Sequence, residues 1–330
     1  MTVKIIIIII AALLVLSAAA FAVITPYPSV YFVRWLFKRY PYVPPANYGY
    51  YLENVTIQRN IDYGSAYPSG TLDIIKPKNF NGGGKVIFAV HGGGYISEGD
   101  ETEFYYVMLA TEGFVTVNVR YAIAPEEAKY PVPVKQLEEA YTFIKNHNDL
   151  YQLNLNVVLF SGDSAGGQIA GQFVAMQTNH AYLESMNGLS PVQFRQAVPL
   201  ETIDGIVLLC AIYDFLQLEP PPENTMKLPL KKLGMAYFNN TNVHSKLIAS
   251  AGILDKITAD FPRAFITDAN TYSFEFEATE MVSILESKNI PVTSIFYDVA
   301  EVVLHHNYQF HLDTPQGLQT YQKLVQFLKQ

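Results

Sequence analysis

The sequence Ser161-Gly162-Asp163-Ser164-Ala165-Gly166-Gly167 contains a G-x-S-x-G pattern centred on Ser164. The residues before it, Asn156-Val157-Val158-Leu159-Phe160, are apolar and β-branched enough to predict a buried strand, and residues 168–176 after it predict a helix. Ser164 is therefore expected on a sharp strand-to-helix turn. In such a turn the two flanking glycines leave room for the backbone, and the serine hydroxyl is lifted above the edge of the sheet.

Glycine and serine are common in turns that have no catalytic role, so the G-x-S-x-G pattern alone is weak evidence for catalysis. A second motif strengthens the catalytic interpretation. Val86–Val90 predicts another buried strand, which runs directly into His91-Gly92-Gly93-Gly94. Successive glycines expose backbone N–H groups to a ligand, as in the H-G-G-G loop that completes an oxyanion hole beside a G-x-S-x-G serine. The two motifs together are far more specific than either alone.

On these motifs the chain resembles the α/β-hydrolases of the hormone-sensitive-lipase-like esterase family. H-G-G-G stands at residues 91–94 and G-D-S-A-G-G at residues 162–167, and Tyr121-Ala122-Ile123-Ala124-Pro125-Glu126 is similar to the Y-R-L-A-P-E of that family. The resemblance implies an α/β-hydrolase fold with a helical cap. This agrees with the alternation of strand and helix patterns along the chain, which predicts a doubly wound, mostly parallel sheet.

The resemblance also implies an activity, that of a serine carboxylic-ester hydrolase that acts through an acyl-enzyme on short or medium acyl esters. Ser164 would be the nucleophile, and the backbone N–H groups of Gly93, Gly94 and Ala165 would form the oxyanion hole. A peptidase or a transacylase would use the same groups, because both also transfer an acyl group. The expected partner is a small ester substrate, and no metal or organic cofactor is expected.

A serine hydroxyl at neutral pH is a poor nucleophile and needs a base within hydrogen-bond reach. His306 is the best candidate of the seven histidines, since it lies between a predicted strand at residues 292–297 and the final predicted helix. In the resembled family the catalytic histidine stands at this place. His305 is the nearest rival, but neighbouring side chains point in different directions, so we expect only one of the two to face Ser164.

The acid residue of the family pattern is missing. Relatives carry Asp-Pro-Leu after the cap, whereas alignment places Tyr272-Ser273-Phe274 here, and a tyrosine with a reference pKa near 10 holds no charge at neutral pH. Asp268 is the carboxylate we expect to act from a shifted position, with Glu275 as the second candidate. The alternatives are a weakened dyad of Ser164 and His306, or an inactive protein that keeps the fold to bind a ligand or partner at the membrane.

The N terminus differs from that of a soluble enzyme. Residues 5–24 form an unbroken, uncharged and mostly apolar run that is long enough to cross a bilayer as a helix. We expect a retained membrane anchor with an extracytoplasmic catalytic domain, although the cations of residues 34–39 favour the opposite orientation. The alternative is a signal peptide that is removed before residue 21 or 23, which would leave a secreted protein.

These patterns divide the chain into three predicted parts. Residues 1–25 are the transmembrane anchor or signal segment, residues 26–51 are an interfacial or cap segment with a linker, and residues 52–330 are the hydrolase domain. Aromatic residues and three cations alternate in residues 31–40, which is typical of an interfacial segment or of an amphipathic lid helix. A cap insertion is predicted at about residues 215–253, where prolines interrupt the strand pattern.

Composition limits the remaining possibilities. The chain has 330 residues, of which 50% are hydrophobic, so it is large enough to bury a substantial core. A net charge of −8 argues against a nucleic-acid partner. The single cysteine, Cys210, excludes an internal disulfide, and its apolar surroundings in the sequence predict a buried thiol.

Overall fold

The computed structural model describes residues 2–215, 230–240, 242 and 244–330, and an eight-stranded sheet forms its centre. The strands are β1 (Val55–Asp62), β2 (Thr71–Pro77), β3 (Val86–Val90), β4 (Val115–Val119), β5 (Val158–Asp163), β6 (Ile203–Leu209), β7 (Ala264–Thr267) and β8 (Val292–Ile295). Their order across the sheet is β1-β2-β4-β3-β5-β6-β7-β8. β2 pairs antiparallel with β1 and β4, and the other pairings are parallel. The predicted mostly parallel α/β sheet is confirmed.

Helices cover both faces of this sheet. The helices are α1 (Thr2–Ile24), α2 (Tyr27–Arg39), α3 (Tyr48–Glu53), α4 (Glu103–Thr111), α5 (Val132–Asn146), α6 (Asn148–Tyr151), α7 (Ala165–Thr178), α8 (His180–Leu189), α9 (Leu230–Phe238), α10 (Lys246–Ala249), α11 (Glu275–Ser287) and α12 (Pro315–Lys329). The apolar residues of α5, α7 and α11 belong to one core cluster, and those of α4 and α12 belong to a second. The sheet is therefore doubly wound, as predicted.

The side chains of β3 show why both faces need a helix layer. Successive residues of a strand point to opposite faces, and every residue of β3 is buried. Phe88 packs against Tyr141 of α5, with ring centroids 5.3 Å apart. Ile87 and Ala89 belong to the cluster of α4 and α12. Because burial of a large apolar side chain contributes about 1.5–3 kcal/mol, a strand that is apolar on both sides is stable only between two helix layers.

The sequence predicts the elements around the two motifs well and the edge of the sheet poorly. β3 has its predicted bounds, and α7 lies over the predicted helix. β1 was not predicted, because seven of its eight residues are partly or fully exposed and its pattern of apolar residues is weak. Residues 26–51 were predicted to include a linker, but α3 begins at Tyr48, within this segment.

The N-terminal segment consists of α1 and α2. Within the described residues, no single helix combines the length and the apolarity of a bilayer span. The pair Ile10–Ile24 and Tyr27–Arg39, which is bent by 75°, meets those criteria only when its two helices are taken together. The transmembrane or signal helix therefore stays a prediction, as does the division of the chain at residues 25 and 51.

The predicted cap insertion at about residues 215–253 is described only in part. Residues 216–229, 241 and 243 lie outside the described residues, and the predicted proline-rich stretches fall among them. α9 and α10 lie in the described part, and α2 packs against α9. On α2, Val30 and Val33 are buried, whereas Phe32 and Trp35 are each 57% exposed. α2 is thus an amphipathic helix with one face on the protein and one apolar aromatic face outside it.

Candidate active site

Ser164 lies on the turn between β5 and α7, as the G-x-S-x-G pattern predicts. Its φ of +50° and ψ of −119° are unfavourable for a residue with a side chain, and such a conformation costs about 1–3 kcal/mol. The turn is tight enough to require glycine on both sides. A Cβ at Gly162 would lie 2.3 Å from the backbone of Gly166, and a Cβ at Gly166 would lie 2.1 Å from the carbonyl oxygen of Val90.

Neighbouring backbone holds the strained serine in place. The N–H of Ser164 donates to the carbonyl oxygen of Leu209 at the end of β6, at 2.9 Å. The Ser164 side chain is therefore held at the carboxyl ends of the parallel strands. This is the edge at which α/β proteins place their ligand sites.

His306 is in contact with Ser164. The His306 Nε2 and Ser164 Oγ atoms are 2.9 Å apart, although the two residues are 142 positions apart in sequence. His305 faces elsewhere, because its ring stacks on Tyr272 with a centroid distance of 6.0 Å. The structure thus brings together the serine and the histidine that the sequence analysis selected. The ring of His305 points toward Tyr272 and does not face Ser164.

The second ring nitrogen of His306 contacts a hydroxyl group. His306 Nδ1 lies 2.8 Å from Ser273 Oγ, and Ser273 Oγ donates to Asp268 Oδ1. Asp268 is fully buried, and it also accepts the backbone N–H groups of Ala269 and Phe274 at 2.8 and 3.3 Å. Asp268 is therefore close to the histidine, as predicted for the acid, but Ser273 stands between them.

The other candidates for the acid position do not bond the imidazole. Both nitrogens of His306 contact hydroxyl groups of serine. Tyr272, at the aligned acid position, is 52% exposed and stacks on His305. Glu275 is the first residue of α11. The sequence analysis assigned no role to Ser273, although a hydroxyl next to the aligned acid position was the available signal.

Burial shifts the pKa values of both ends of this chain of contacts. It lowers the pKa of His306 to about 3, since the charged imidazolium loses its hydration. It raises the pKa of Asp268 to about 7, although hydrogen bonds from Ser273, Ala269 and Phe274 act in the opposite direction. At neutral pH the imidazole is therefore uncharged and available as a base.

The H-G-G-G loop lies beside Ser164, with the conformation that only glycine tolerates easily. Gly93 and Gly94 have φ values of +88° and +60°. Among the described residues, the backbone N–H groups of Gly93, Gly94 and Ala165 donate to no acceptor. For Ala165 the reason is its place at the start of α7, where helical N–H groups have no partner within the helix. All three predicted oxyanion donors are thus unoccupied.

Asp163 joins the elements that carry these groups. Its carboxylate accepts the N–H of Gly92 at 3.0 Å and the side-chain amide of Asn307 at 3.0 Å. Gly92 precedes the predicted oxyanion donors, and Asn307 follows His306. Burial raises the pKa of Asp163 to about 7. The buried Asp163 carboxylate therefore links the H-G-G-G loop to the loop that carries His306 by hydrogen bonds.

α2 is tied to the same loop by an arginine that the sequence analysis did not predict as part of the site. Arg34 Nε donates to the carbonyl oxygen of Ile96, just after the H-G-G-G motif. Its Nη2 donates to the carbonyl oxygen of Ala124 at 3.0 Å, and the guanidinium pairs with Glu126 at 2.7 Å. The fork of the guanidinium thus fixes α2 against two loops at once.

α9 covers the H-G-G-G loop from the cap side. Tyr237 of α9 stacks on Tyr95, with ring centroids 3.7 Å apart and planes within 9°. Lys232 of the same helix donates to the carbonyl oxygens of Val23 and Thr25, at the C-terminal end of α1. The cap, the N-terminal helices and the H-G-G-G loop are therefore in direct contact.

One group of side chains near the site has the composition of a metal site. Cys210, Asp268 and His306 each offer one ligand atom, and the three atoms lie within 4.8 Å of one another. Ser273 occupies the contact between Asp268 and His306, and Cys210 Sγ accepts the N–H of Asn307 at 3.3 Å. Because these three side chains take part in hydrogen bonds within the protein, we assign no metal to them.

Comparison with known proteins identifies the family. A family model described as BD-FAE matches residues 72–271, which is more than half of the chain. The chain belongs to the BD-FAE family. The matched region contains both glycine motifs and ends just before Ser273. It confirms the resemblance to α/β-hydrolase esterases that the motifs predicted.

Curated relatives match this BD-FAE chain over a short segment. A putative alpha/beta hydrolase, R526, of Acanthamoeba polyphaga mimivirus is 33% identical over 99 residues, which cover 29% of this chain and 28% of that protein. An acetyl esterase of Salmonella schwarzengrund (strain CVM19633) is 29% identical over 87 residues, which cover 26% and 27%. The matched segment thus spans about a quarter of the length of these relatives.

Solved esterases share the fold of the BD-FAE chain over most of its length. Esterase B from Lactobacillus rhamnosis (HN001) has a TM-score of 0.70 at 18% identity, and the match covers 92% of this chain and 95% of that one. An esterase of Pyrobaculum calidifontis has a TM-score of 0.66 at 17% identity, with coverages of 91% and 92%. At these identities the similarity shows a common α/β-hydrolase fold.

Proposed function

We propose that this chain hydrolyses small carboxylic esters and forms an acyl-enzyme on Ser164. The observation that carries the proposal is the contact of 2.9 Å between Ser164 Oγ and His306 Nε2 on the strained turn. Burial keeps His306 uncharged at neutral pH, and the uncharged imidazole is the form that can accept the proton of Ser164. Within the described residues the N–H groups of Gly93, Gly94 and Ala165 have no acceptor in the protein, which favours this reaction over a fold that is kept only for binding.

The proposed reaction has two halves. Ser164 Oγ attacks the ester carbonyl carbon while its proton passes to His306 Nε2, and the carbonyl oxygen becomes an oxyanion. The N–H groups of Gly93, Gly94 and Ala165 donate to this oxyanion. His306 then returns the proton to the leaving alkoxide, which departs as the alcohol. Water attacks the acyl group on Ser164 by the same proton route, and the acid leaves.

The described part of the cap supports a substrate with a short acyl group. The stacking of Tyr237 on Tyr95 and the nearby side chain of Leu233 place bulky groups next to the H-G-G-G loop. This arrangement favours a short acyl group beside the oxyanion donors. The acetyl esterase of Salmonella schwarzengrund among the relatives is consistent with such a substrate.

An active-site probe tests the function directly. We expect the full chain, in detergent micelles, to hydrolyse p-nitrophenyl acetate and to react with a fluorophosphonate, since the probe mimics the tetrahedral intermediate at an activated serine. Mass spectrometry of the labelled protein should locate the adduct on Ser164. An adduct on another serine, or no adduct in a folded sample, would contradict the proposal.

We also propose that residues 1–25 anchor the protein in a membrane, with the catalytic domain on the extracytoplasmic side. α1 exposes many large apolar side chains, among them Leu14, Val15 and Leu16 at 65–68% exposure. The exposed Phe32 and Trp35 of α2 continue this apolar surface. Aromatic side chains with nearby cations are typical of the membrane interface, so α2 would lie at that interface beside the cap.

Sedimentation distinguishes an anchor from a signal peptide. We expect the full chain to sediment with membranes after a wash in 1 M salt, where the Debye length is only about 3 Å and surface charges are screened, and to be released by detergent. N-terminal sequencing of the expressed protein is the second measurement. A mature chain that begins near residue 21 or 23 and remains in the supernatant would support the signal-peptide alternative.

A further inference from the structure

Two hydrogen bonds connect His306 to Ser273 and Ser273 to Asp268. Only one placement of their hydrogens leaves His306 Nε2 free to accept a proton. A serine hydroxyl carries a single hydrogen, and Ser273 uses it toward Asp268 Oδ1. The contact of 2.8 Å between Ser273 Oγ and His306 Nδ1 must then be donated by the imidazole. A hydrogen on Nδ1 leaves Nε2 as an acceptor for the proton of Ser164.

We propose that Ser273 is a positioning residue that connects His306 to Asp268, so that the carboxylate sets the tautomer of the imidazole through the Ser273 hydroxyl. The proposal rests on the proposed function and adds a residue to it. It replaces direct contact between the acid and the histidine by a relay of two hydrogen bonds. The family position of the acid is then filled in space by Ser273, although alignment places Tyr272 there.

The surroundings of Asp268 support this arrangement. Asp268 Oδ1 accepts hydrogen bonds from Ser273 and from two backbone N–H groups. Those two backbone donors fix the carboxylate, so its acceptor oxygen faces Ser273. Asp268 Oδ2 is buried and has no hydrogen-bond partner among the described residues. The carboxylate therefore acts on the site through Oδ1 alone.

Protonation of Asp268 would reverse the relay. The proton goes to Oδ2, which has no hydrogen-bond partner among the described residues, and Oδ1 loses the negative charge that attracts the Ser273 hydrogen. Ser273 then donates to His306 Nδ1, and the imidazole hydrogen moves to Nε2. This tautomer accepts no proton from Ser164, so the base is switched off. Because burial raises the pKa of Asp268 to about 7, activity is expected to rise as the pH increases through about 7.

Other ionisable groups lie near Asp268, and their titration must be distinguished from that of Asp268 as the cause of the rise in activity. Glu275 and Glu277 act on it from α11, and Cys210 lies beside it at the end of β6. The pKa of His306 lies well below this range, at about 3. Asp163 has a pKa of about 7 as well, but it bonds Gly92 and Asn307. Substitution of Asp268 itself is therefore required.

The kinetic test uses Ser273→Ala, Asp268→Asn and the double variant. We expect Ser273→Ala to lower kcat by roughly 100-fold with KM nearly unchanged, since loss of the correct tautomer in a triad costs up to about 10⁴-fold. Asp268→Asn should lower kcat and remove the rise near pH 7. The double variant should be no slower than Ser273→Ala, because residues that act as one unit are not additive.

Two further variants control for folding. Ser190→Ala removes a hydroxyl of similar burial at the end of α8, and it should leave kcat unchanged. Ser273→Cys keeps the volume of the site but donates and accepts hydrogen bonds weakly, so it should lower kcat even if Ser273→Ala does not fold. A kcat within threefold of the wild type for folded Ser273→Ala or Ser273→Cys, or a retained rise near pH 7 in Asp268→Asn, would overturn the proposal.

A spectroscopic measurement tests the relay without turnover. In ¹⁵N-histidine NMR, with His306→Gln for assignment, we expect His306 to carry its hydrogen on Nδ1 above pH 8 and on Nε2 below about pH 6. Ser273→Ala should abolish this change. One unchanged tautomer across this range in the wild type would contradict the relay, whereas failure of fluorophosphonate labelling alone would contradict the esterase proposal.

Discussion

Ser164→Ala is expected to lower kcat/KM for p-nitrophenyl acetate by at least about 10⁴-fold, because the attacking oxygen is removed and no covalent intermediate can form. The site otherwise remains intact, since the backbone of Ser164, and not its side chain, forms the bond to Leu209. Alanine has the same difficulty as serine at a φ of +50°, so the cost of the turn is unchanged. The variant should therefore fold and still bind substrate.

The matched control for this variant is Ser161→Ala. Ser161 lies three residues earlier on β5, is 2% exposed and shares a weak hydrogen bond of 3.4 Å with Tyr106. Its loss should cost at most about 1 kcal/mol of stability and leave kcat/KM nearly unchanged. If Ser164→Ala kept more than about a tenth of the wild-type rate, Ser164 would not be the nucleophile.

Gly93→Ala is expected to lower kcat by about 10²–10³-fold, the usual cost of losing one oxyanion donor. A Cβ at Gly93 would lie 2.6 Å from the carbonyl oxygen of Ser97, and the φ of +88° is unfavourable for alanine. The carbonyl of Gly93 also accepts the N–H groups of Ile96 and Ser97, both at 3.1 Å. The loop cannot relieve the clash without breaking these bonds, so its N–H groups must move.

Gly94→Ala provides the comparison, because it changes the next residue of the same motif in a more open place. A Cβ at Gly94 would lie 3.7 Å from Leu233, which is an ordinary contact, and its φ of +60° lies in the left-handed helical region. The strain is about 1–2 kcal/mol, and the N–H need not move. Measurement of kcat and of the inhibition constant of a boronic acid should show the larger loss for Gly93→Ala. Equal losses would remove the geometric argument.

The H-G-G-G loop also connects the chemistry to the N-terminal helices. Arg34 of α2 donates to the carbonyl of Ile96, and Lys232 of α9 donates to the end of α1. If α1 lies in a membrane, as we propose, the cap and the H-G-G-G loop lie next to the membrane surface. A substrate that partitions into the bilayer would then reach the site without crossing much water.

Local sequence was sufficient for the parts of the fold and site that depend on neighbouring residues. A continuous run of apolar residues predicted β3, and the glycines around Ser164 predicted the turn because no larger residue fits there. His306 could be selected from its place between a strand and the last helix. In each of these cases the pattern and the structure it predicts lie within a few residues of each other.

Only the tertiary structure decided the contacts between distant residues. Ser273 and His306 are 33 positions apart, and Arg34 and Ile96 are 62 apart. Whether Ser273 or Asp268 contacts the imidazole depends on side-chain directions that no local pattern specifies. By itself, the sequence determined where β3, the strained turn and the glycines of the H-G-G-G loop lie, because backbone preferences and apolar patterns are local. The packing of β6, β7 and α11 determined how the carboxylate reaches the histidine, because hydrogen-bond geometry is set in space.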